Sequence, residues 1–577
     1  MRYAGEVLSN EASGSGTVVA TPLGGTAALA AIGIAGLALR IIGLRWGLPY
    51  EMHPDESVIL ATVEGMSWSN LNPGFFNYPG FFIYQVFLLA RLVAAAGGEV
   101  AHLIYTARFL TAMYGWATIW FVYLLGVSLG GRRLGTIAAG LFAVMGAATL
   151  HAHYAVTDTP VAALATATVW LSVRSWQRGS YGGIAAAAAL AGLAVSTKYS
   201  AAPVCLVPWL GAMALAARDR TPIGKRLAGT MVLAAMAVAA FLVTSPYTLL
   251  DAEGFVRDMG IESRLQAEAR PGLHVDPLEN PSLLDRGLVI NGAAMAADLG
   301  VPAFLLALLC LGLALARFGR ADAGEGAVGT WGGTVGAREG AVAWGMTAAW
   351  VLLYYAFMAP SAVGGQRYMI PVYPVMMVLA AGGIEALAGR LTGRFGTTST
   401  QRDPADGAPS STRAPTKEKT GNPAVWALVV LAVALPAWQA IATTRLVAWR
   451  DTRLEARDWI IENLPAGAHL AREYYAPFFH TSDGFLVSQP FSLTEHPLET
   501  YCAEGVEYLL LSSLNANRYL EGNAERFAEE RAWYDRLGER TRLVERFEGM
   551  GDLELHHPAI EVRRLFCAGD SSSDIRR

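Results

Sequence analysis

The chain has 577 residues, 53% hydrophobic and 16% charged, with 44 Lys and Arg against 48 Asp and Glu and a net charge of −4. An ordinary globular chain carries about 25% charged residues, and a nucleic-acid-binding one carries a basic stripe. Neither description fits, so a water-filled surface of ordinary composition and a nucleic-acid partner are both excluded.

The apolar residues are gathered into runs of roughly 20, the length that crosses the hydrocarbon core of a bilayer. Residues 1–26 are rich in Gly, Ser, Ala and Thr and lack the charged, apolar and cleavage regions of a signal peptide. They are expected to be a disordered cytoplasmic leader. Candidate spans then follow at Ala27–Arg45, Phe109–Leu129, Leu134–His151, Thr159–Val173, Ile184–Thr197 and Ala201–Ala217. The rest are Leu227–Thr244, Val301–Ala316, Ala341–Met358, Met369–Leu387 and Ala424–Ala442. The expected fold is mainly α, a polytopic bundle of about eleven transmembrane helices over 27–442, with a small α/β domain over 443–577.

Orientation follows from Lys and Arg in the short loops. Arg132-Arg133, Arg174 with Arg178, Arg218 to Arg226, Arg317 to Arg338 and Arg390 to Lys419 alternate consistently only if the apolar segment Tyr78–Ala96 does not cross. That segment is therefore assigned to an interfacial or re-entrant helix within an outer loop, 46–107. The N-terminus is then cytoplasmic, the tail is outside a multi-pass inner membrane protein, and 390–423 is a solvated cytoplasmic linker. In the tail, Leu454–Asn463 has helical spacing, while His469–Tyr475 and Val506–Ser512 read as strands. Cys205 and Cys310 lie in apolar runs as small buried groups. Cys502 and Cys567 can pair if the tail is outside.

Ionisable groups are costly in lipid and are the natural functional suspects. Tyr50 to Glu56 follows the first span, and Pro54 can open a helix with Asp55 and Glu56 in its first turn. Adjacent acids there either start a helix or serve as an acid–base pair, one accepting a proton from a hydroxyl. His151 to Pro160 lies at the same membrane face, and Asp158 either caps a helix or joins Asp55. A divalent ion held by His53, His151, His153 and Asp158 is the alternative, although the two alternating histidines do not share a helix face. Lys198 and Arg367 are cations at outer helix ends, against the charge bias. As a point charge and a fork they suit a phosphate.

Acids to activate a hydroxyl and cations to hold a phosphate describe sugar transfer from a lipid phosphate, whose developing charge the cations stabilise. His53-Pro-Asp-Glu56, Asn77-Tyr78-Pro79-Gly80, Tyr154-Ala-Val-Thr-Asp158, Thr197-Lys198-Tyr199 and Arg367-Tyr368 before Pro371 give the chain a resemblance. It resembles the lipid-phosphate-dependent glycosyltransferases of the C-type superfamily, nearest to protein O-mannosyltransferases and bacterial aminoarabinose transferases. The resemblance implies an inverting, mannosyltransferase-like transfer on the outer face from a polyprenyl-phosphate sugar to a lipid, glycan or protein acceptor. It implies Asp55 as base with Glu56 and Asp158 as acidic neighbours. Lys198 and Arg367 would contact phosphate, with His53, Tyr78, Tyr199 and Tyr368 around the substrates. Aminoarabinose transferases carry a lysine where this chain has Tyr78, so that contact is missing or supplied elsewhere. The rival class is a transporter or lipid-linked sugar flippase, which would show internal repeats and charges at mid-membrane; the sequence has no repeat.

Overall fold

The computed structural model describes residues 25–268, 289–322, 337–361, 365–391, 423–521, 524–550 and 555–567. The leader and the linker expected at 1–26 and 390–423 lie almost wholly outside the described residues.

A helical bundle occupies the chain up to Ala448. Each expected span falls on helix, but the span count differs. Among the described residues, six helices are long and apolar enough to cross a bilayer, and a seventh counts if Val289–Leu299 and Val301–Arg317, bent by 114°, form one span. The reasons for the shortfall from eleven are local. Thr26–Ile41 and Tyr181–Val195 have 16 and 15 residues, short of the roughly 20 needed for a straight crossing. Asp158–Arg178 carries Asp158, Arg174 and Arg178 among its apolar residues. Val100–Ala143 runs for 44 residues and holds two limbs.

Those limbs are the spans expected at Phe109–Leu129 and Leu134–His151. They fold back at Gly131, whose φ of 87° and ψ of −179° break the helix, a conformation open to Gly and strained for other residues. Past the turn the limbs touch backbone to backbone, since a Cβ on Gly126 would lie 2.6 Å from the Gly135 Cα. The second limb stops at Ala143, and a short helix, Gly146–His151, carries the chain to the outer loop. The Arg367–Leu391 region forms the axis of the bundle, with Val375, Leu379 and Ile384 buried among Ile119, Val161 and Leu306.

The loop 46–107 holds two further helices, Pro54–Glu64 and Gly80–Ala95. The second has 16 residues, about 24 Å at 1.5 Å per residue. Ile59, Leu60 and Val63 of one pack on Phe82, Ile83 and Val86 of the other in a separate small core. Gly80 seats the second helix against the bundle. Its N–H donates to Ser245 Oγ at 2.8 Å, and a Cβ there would lie 2.5 Å from the Thr244 carbonyl oxygen.

The tail folds around a five-stranded mixed sheet of β1 (His469–Arg472), β2 (Leu486–Ser488), β3 (Tyr508–Ser512), β4 (Thr541–Phe547) and β5 (Ile560–Leu565). Its order is β2-β1-β3-β5-β4, with β1 parallel to both neighbours and β5 antiparallel to both of its own. Helices Thr452–Asn463 and Ala528–Arg540 pack on it through Ile460 and through Trp533 and Leu537. Cys502 and Cys567 form a disulfide with Cα atoms 5.5 Å apart.

The tail is fastened to the loop 46–107 and to Tyr154. Trp46 Nε1 donates to Asp451 Oδ2 at 3.0 Å, Tyr154 and His556 Nε2 share a hydrogen bond of 2.9 Å, and Arg457 lies 5.1 Å over the Tyr50 ring.

Candidate active site

His53 ends the extended segment before Pro54 and caps the helix behind it, its Nδ1 accepting from the Asp55 N–H at 3.1 Å. Proline at the first helical position costs no hydrogen bond, and acids in the first turn meet the positive end of the dipole. The helix therefore presents Asp55 from a rigid start. Asp158 opens the Asp158–Arg178 helix, which has no side-chain cap. Its carboxylate faces two cations, Lys198 on Oδ1 and Arg367 on Oδ2 at 3.3 Å. The same Arg367 Nη2 also pairs with Asp55 Oδ2.

Four segments far apart in sequence thus bring Asp55, Asp158, Lys198 and Arg367 into one cluster of two acids and two cations. Tyr368 lies beneath both cations, its ring centroid 5.5 Å from Lys198 Nζ and 5.8 Å from Arg367 Cζ. Asp158 is buried, while Asp55 and Arg367 keep 22% and 23% of their side-chain surface, so the cluster opens to solvent on the Asp55 side. Burial pushes the Asp55 carboxyl up. The Arg367 guanidinium and His53 more than offset this and hold it below the ordinary carboxylate range. Arg367 Nε is buried without a hydrogen-bond partner among the described residues. Tyr78 lies within electrostatic reach of Asp55, Arg367 and Asp158. Tyr199 stands further off, its ring 6.4 Å from Phe241 and 6.2 Å from Phe255, and its buried hydroxyl has no hydrogen-bond partner among the described residues.

Glu56 points away from this cluster. It accepts from Arg108 Nε at 2.8 Å, Arg108 Nη2 at 2.7 Å and the Ala155 N–H at 2.7 Å, and neither charged side chain has exposed surface. Arg108 also donates to the carbonyls of Leu44 and Trp46. Burial raises the Glu56 carboxyl, but Arg108 outweighs it and keeps the group below its usual range. Arg108 is a residue that sequence reasoning missed; its one signal was a cation just inside an apolar run.

The donor set does not fit the divalent ion weighed from the histidines. His153 turns both ring nitrogens to carbonyl oxygens, Thr149 and Ile42, each at 2.8 Å, and both Asp158 oxygens face cations. His53 Nε2 is buried with no hydrogen-bond partner among the described residues. A second group, Asp451, His556 and His557, has ligand atoms within 4.8 Å of one another. There the Asp451 carboxylate already accepts from Arg453 Nε and Nη2, Trp46 Nε1 and the His557 N–H. A fixed guanidinium in that position opposes a metal cation, and the group serves as the clasp between tail and outer loop.

The tail supplies groups that the sequence reading left unassigned. The strand expected over His469–Tyr475 ends at Arg472, and the turn after it carries Tyr474 and Tyr475 toward the cluster. Tyr474 comes within reach of Ser57, and both tyrosines feel the charge of Asp55.

Residues 86–247 match the sequence profile of a family described as dolichyl-phosphate-mannose-protein mannosyltransferase. The matched stretch holds Asp158, Lys198 and Tyr199 and leaves out His53 to Glu56 and Arg367. No curated protein matches the chain by sequence. Among solved structures it is similar to the archaeal oligosaccharyltransferase AglB from Archaeoglobus fulgidus, in complex with an inhibitory peptide and a dolichol-phosphate. Identity there is 12% and the TM-score 0.51, over 85% of this chain and 70% of that one. The fold is that of the C-type glycosyltransferases. Two further structures with this C-type fold align less closely. ArnT from Cupriavidus metallidurans, bound to undecaprenyl phosphate, has 13% identity over 93% of this chain and 97% of that one, with a TM-score of 0.46. Arabinosyltransferase EmbB from Mycobacterium smegmatis has 14% identity over 77% and 42%, with a TM-score of 0.41.

Proposed function

We propose that the protein is a membrane glycosyltransferase. It moves a sugar from a polyprenyl-phosphate donor to an acceptor hydroxyl on the outer face of the membrane, with inversion. The observation that carries this reading is the convergence of Asp55, Asp158, Lys198 and Arg367, open to solvent at Asp55.

Asp55 accepts the proton of the acceptor hydroxyl, whose oxygen bonds to the anomeric carbon from the face opposite the lipid phosphate. The bond from that carbon to the phosphate oxygen breaks, and its electron pair leaves with the phosphate. Lys198 and Arg367 stabilise the charge that develops there, the electrostatic contribution that is usually largest in such reactions. Without substrate the cations neutralise the acids; a phosphate offers Arg367 a bidentate partner and releases Asp55 as base. Glu56, tied to Arg108 and Ala155, positions the helix that carries Asp55. His53, Tyr78 and Tyr368 line the substrates, and Tyr199 lies behind Lys198.

The alternating basic loops support a cytoplasmic N-terminus in an inner membrane and an outer tail, and the Cys502–Cys567 disulfide supports the same side for the tail. Domain limits of 27–442 and 443–577 follow from the change of composition. Polyprenyl-phosphate sugars are the donor class, with a dolichol-phosphate and undecaprenyl phosphate bound in the two structural relatives above.

The test is release of lipid phosphate when purified protein meets a panel of polyprenyl-phosphate sugars and membrane extract. Consumption of one donor supports the enzyme. Consumption of none, with transbilayer movement of a donor in vesicles, would establish the flippase instead.

A further inference from the structure

The turn after β1 is built in a way that a small sheet domain does not need. Arg472 and Glu473, consecutive and buried, flank it from opposite sides, although charged residues are almost never fully buried unless paired. Arg472 Nη2 donates to the carbonyls of Tyr474 and Ala476, both at 2.8 Å, and its Nη1 to Gln489 at 2.7 Å. The Glu473 carboxyl accepts from the Ser512 N–H at 2.7 Å and the Tyr534 hydroxyl at 3.0 Å. Arg472 thus fixes the backbone on either side of Tyr475, and Glu473 ties the start of the turn to β3 and to the Ala528–Arg540 helix.

The tyrosine rings form an aromatic corner. Tyr474 and Tyr475 meet edge to face at 5.1 Å, Tyr474 stacks on Phe491 at 5.7 Å and 29°, and Tyr475 meets Phe491 at 6.2 Å. Arg518 lies 4.9 Å over Phe491 and 5.9 Å over Tyr475. Behind the corner, Arg518 Nη1 and Asn515 Oδ1 are buried with no hydrogen-bond partner among the described residues. Asn515 has no exposed surface, and its amide donates to the Phe491 carbonyl at 2.7 Å. Unmet buried donors and acceptors are costly, and here a donor and an acceptor go unmet together beside three rings.

We propose that Tyr474, Tyr475, Phe491 and Arg518 form the acceptor side of the transfer site, and that the acceptor is a saccharide bearing an acidic group. Phe491, which is exposed, and the half-buried Tyr474 take the apolar face of a pyranose, with the buried Tyr475 ring backing them, as aromatic-lined ligand sites with a few convergent polar groups do. Tyrosine supplies area and a hydroxyl at little entropic cost. Arg518 takes the carboxylate or phosphate substituent, and the Tyr474 hydroxyl beside Ser57 turns the sugar toward Asp55. This rests on the proposed transferase for the chemistry, while the binding site itself does not depend on it.

The experiment titrates the purified full-length protein with methyl β-D-glucuronide and methyl β-D-glucoside, followed by saturation-transfer NMR. The glucuronide binds, and binds about tenfold more tightly than the glucoside, the scale of one charge-assisted hydrogen bond. Arg518→Ala removes that preference, Tyr475→Ala abolishes binding of both sugars, and Tyr475→Phe restores it at an unchanged melting temperature. Equal binding of the two sugars, an Arg518→Ala protein that keeps the preference, or no binding of either sugar overturns the assignment. A donor panel that goes unconsumed while the glucuronide still binds refutes the transferase and leaves the sugar site standing.

Discussion

Glu56 offers the sharpest test of how the structure divides the two adjacent acids. Glu56→Gln keeps the shape of the side chain and removes its charge, leaving the buried Arg108 guanidinium unneutralised. The pair has no exposed surface and shares two hydrogen bonds of 2.8 and 2.7 Å, and the Ala155 N–H loses its charged acceptor. Removing one partner of a buried pair costs about 3–5 kcal/mol. Arg108→Met costs a similar amount and also strands the carbonyls of Leu44 and Trp46. In the double variant Glu56→Gln/Arg108→Met no charge is left behind, so its loss is smaller than the sum of the single variants by about 2 kcal/mol, within the range for contacting residues. Graded unfolding of the detergent-solubilised protein measures this, with turnover normalised to folded protein. A Glu56→Gln protein as stable as wild type but without turnover would refute the reasoning and make Glu56 a chemical group.

Other consequences follow from named groups. The Asp55 carboxyl, held below its ordinary range, stays ionised through neutral pH, so kcat/KM is flat there and falls only in acid; Arg367→Gln moves that acid limb to higher pH as well as weakening donor binding. Burial raises the Glu473 carboxyl to about 7. An acid raised in the folded state stabilises it fully below its unfolded value, and that stability is lost as pH rises toward 7. Melting of wild type therefore declines across that window, and Glu473→Gln flattens the decline; a decline unchanged in the variant would remove Glu473 as its source. Cys502→Ser opens a disulfide closed across 65 residues and lowers tail stability by about 2–4 kcal/mol, read as faster limited proteolysis after Ala448 with the bundle intact.

What the sequence disclosed depended on whether a signal was local. Asp55, Asp158, Lys198 and Arg367 stood out because charge at the end of an apolar run is expensive, and the loop charges placed them on one face; the structure brings those four together. The Arg108–Glu56 pair was hidden because its members are far apart in sequence and Arg108 resembles an ordinary cation at a helix end. Arg132-Arg133 marked the turn between two spans, but nothing in the composition foretold that the bundle would use helices too short or too polar to cross alone. In the tail, the buried run of β3 read clearly as a strand. Strand β4 did not, because its residues Arg542 to Val544 are exposed and alternate poorly. The tyrosine turn was lost because Tyr474 and Tyr475 continue the apolar alternation of β1, and the hydrogen bonds that end the strand come from Arg472 after folding.

The most direct test of the central claim is transfer of a radiolabelled sugar from a consumed polyprenyl-phosphate donor by wild type and Asp55→Asn, each confirmed folded. The account predicts that Asp55→Asn loses at least about a hundredfold in turnover, the contribution typical of a positioned general base, while still binding the donor lipid through Lys198 and Arg367. Transfer by Asp55→Asn at the wild-type rate would contradict it and move the base to another group.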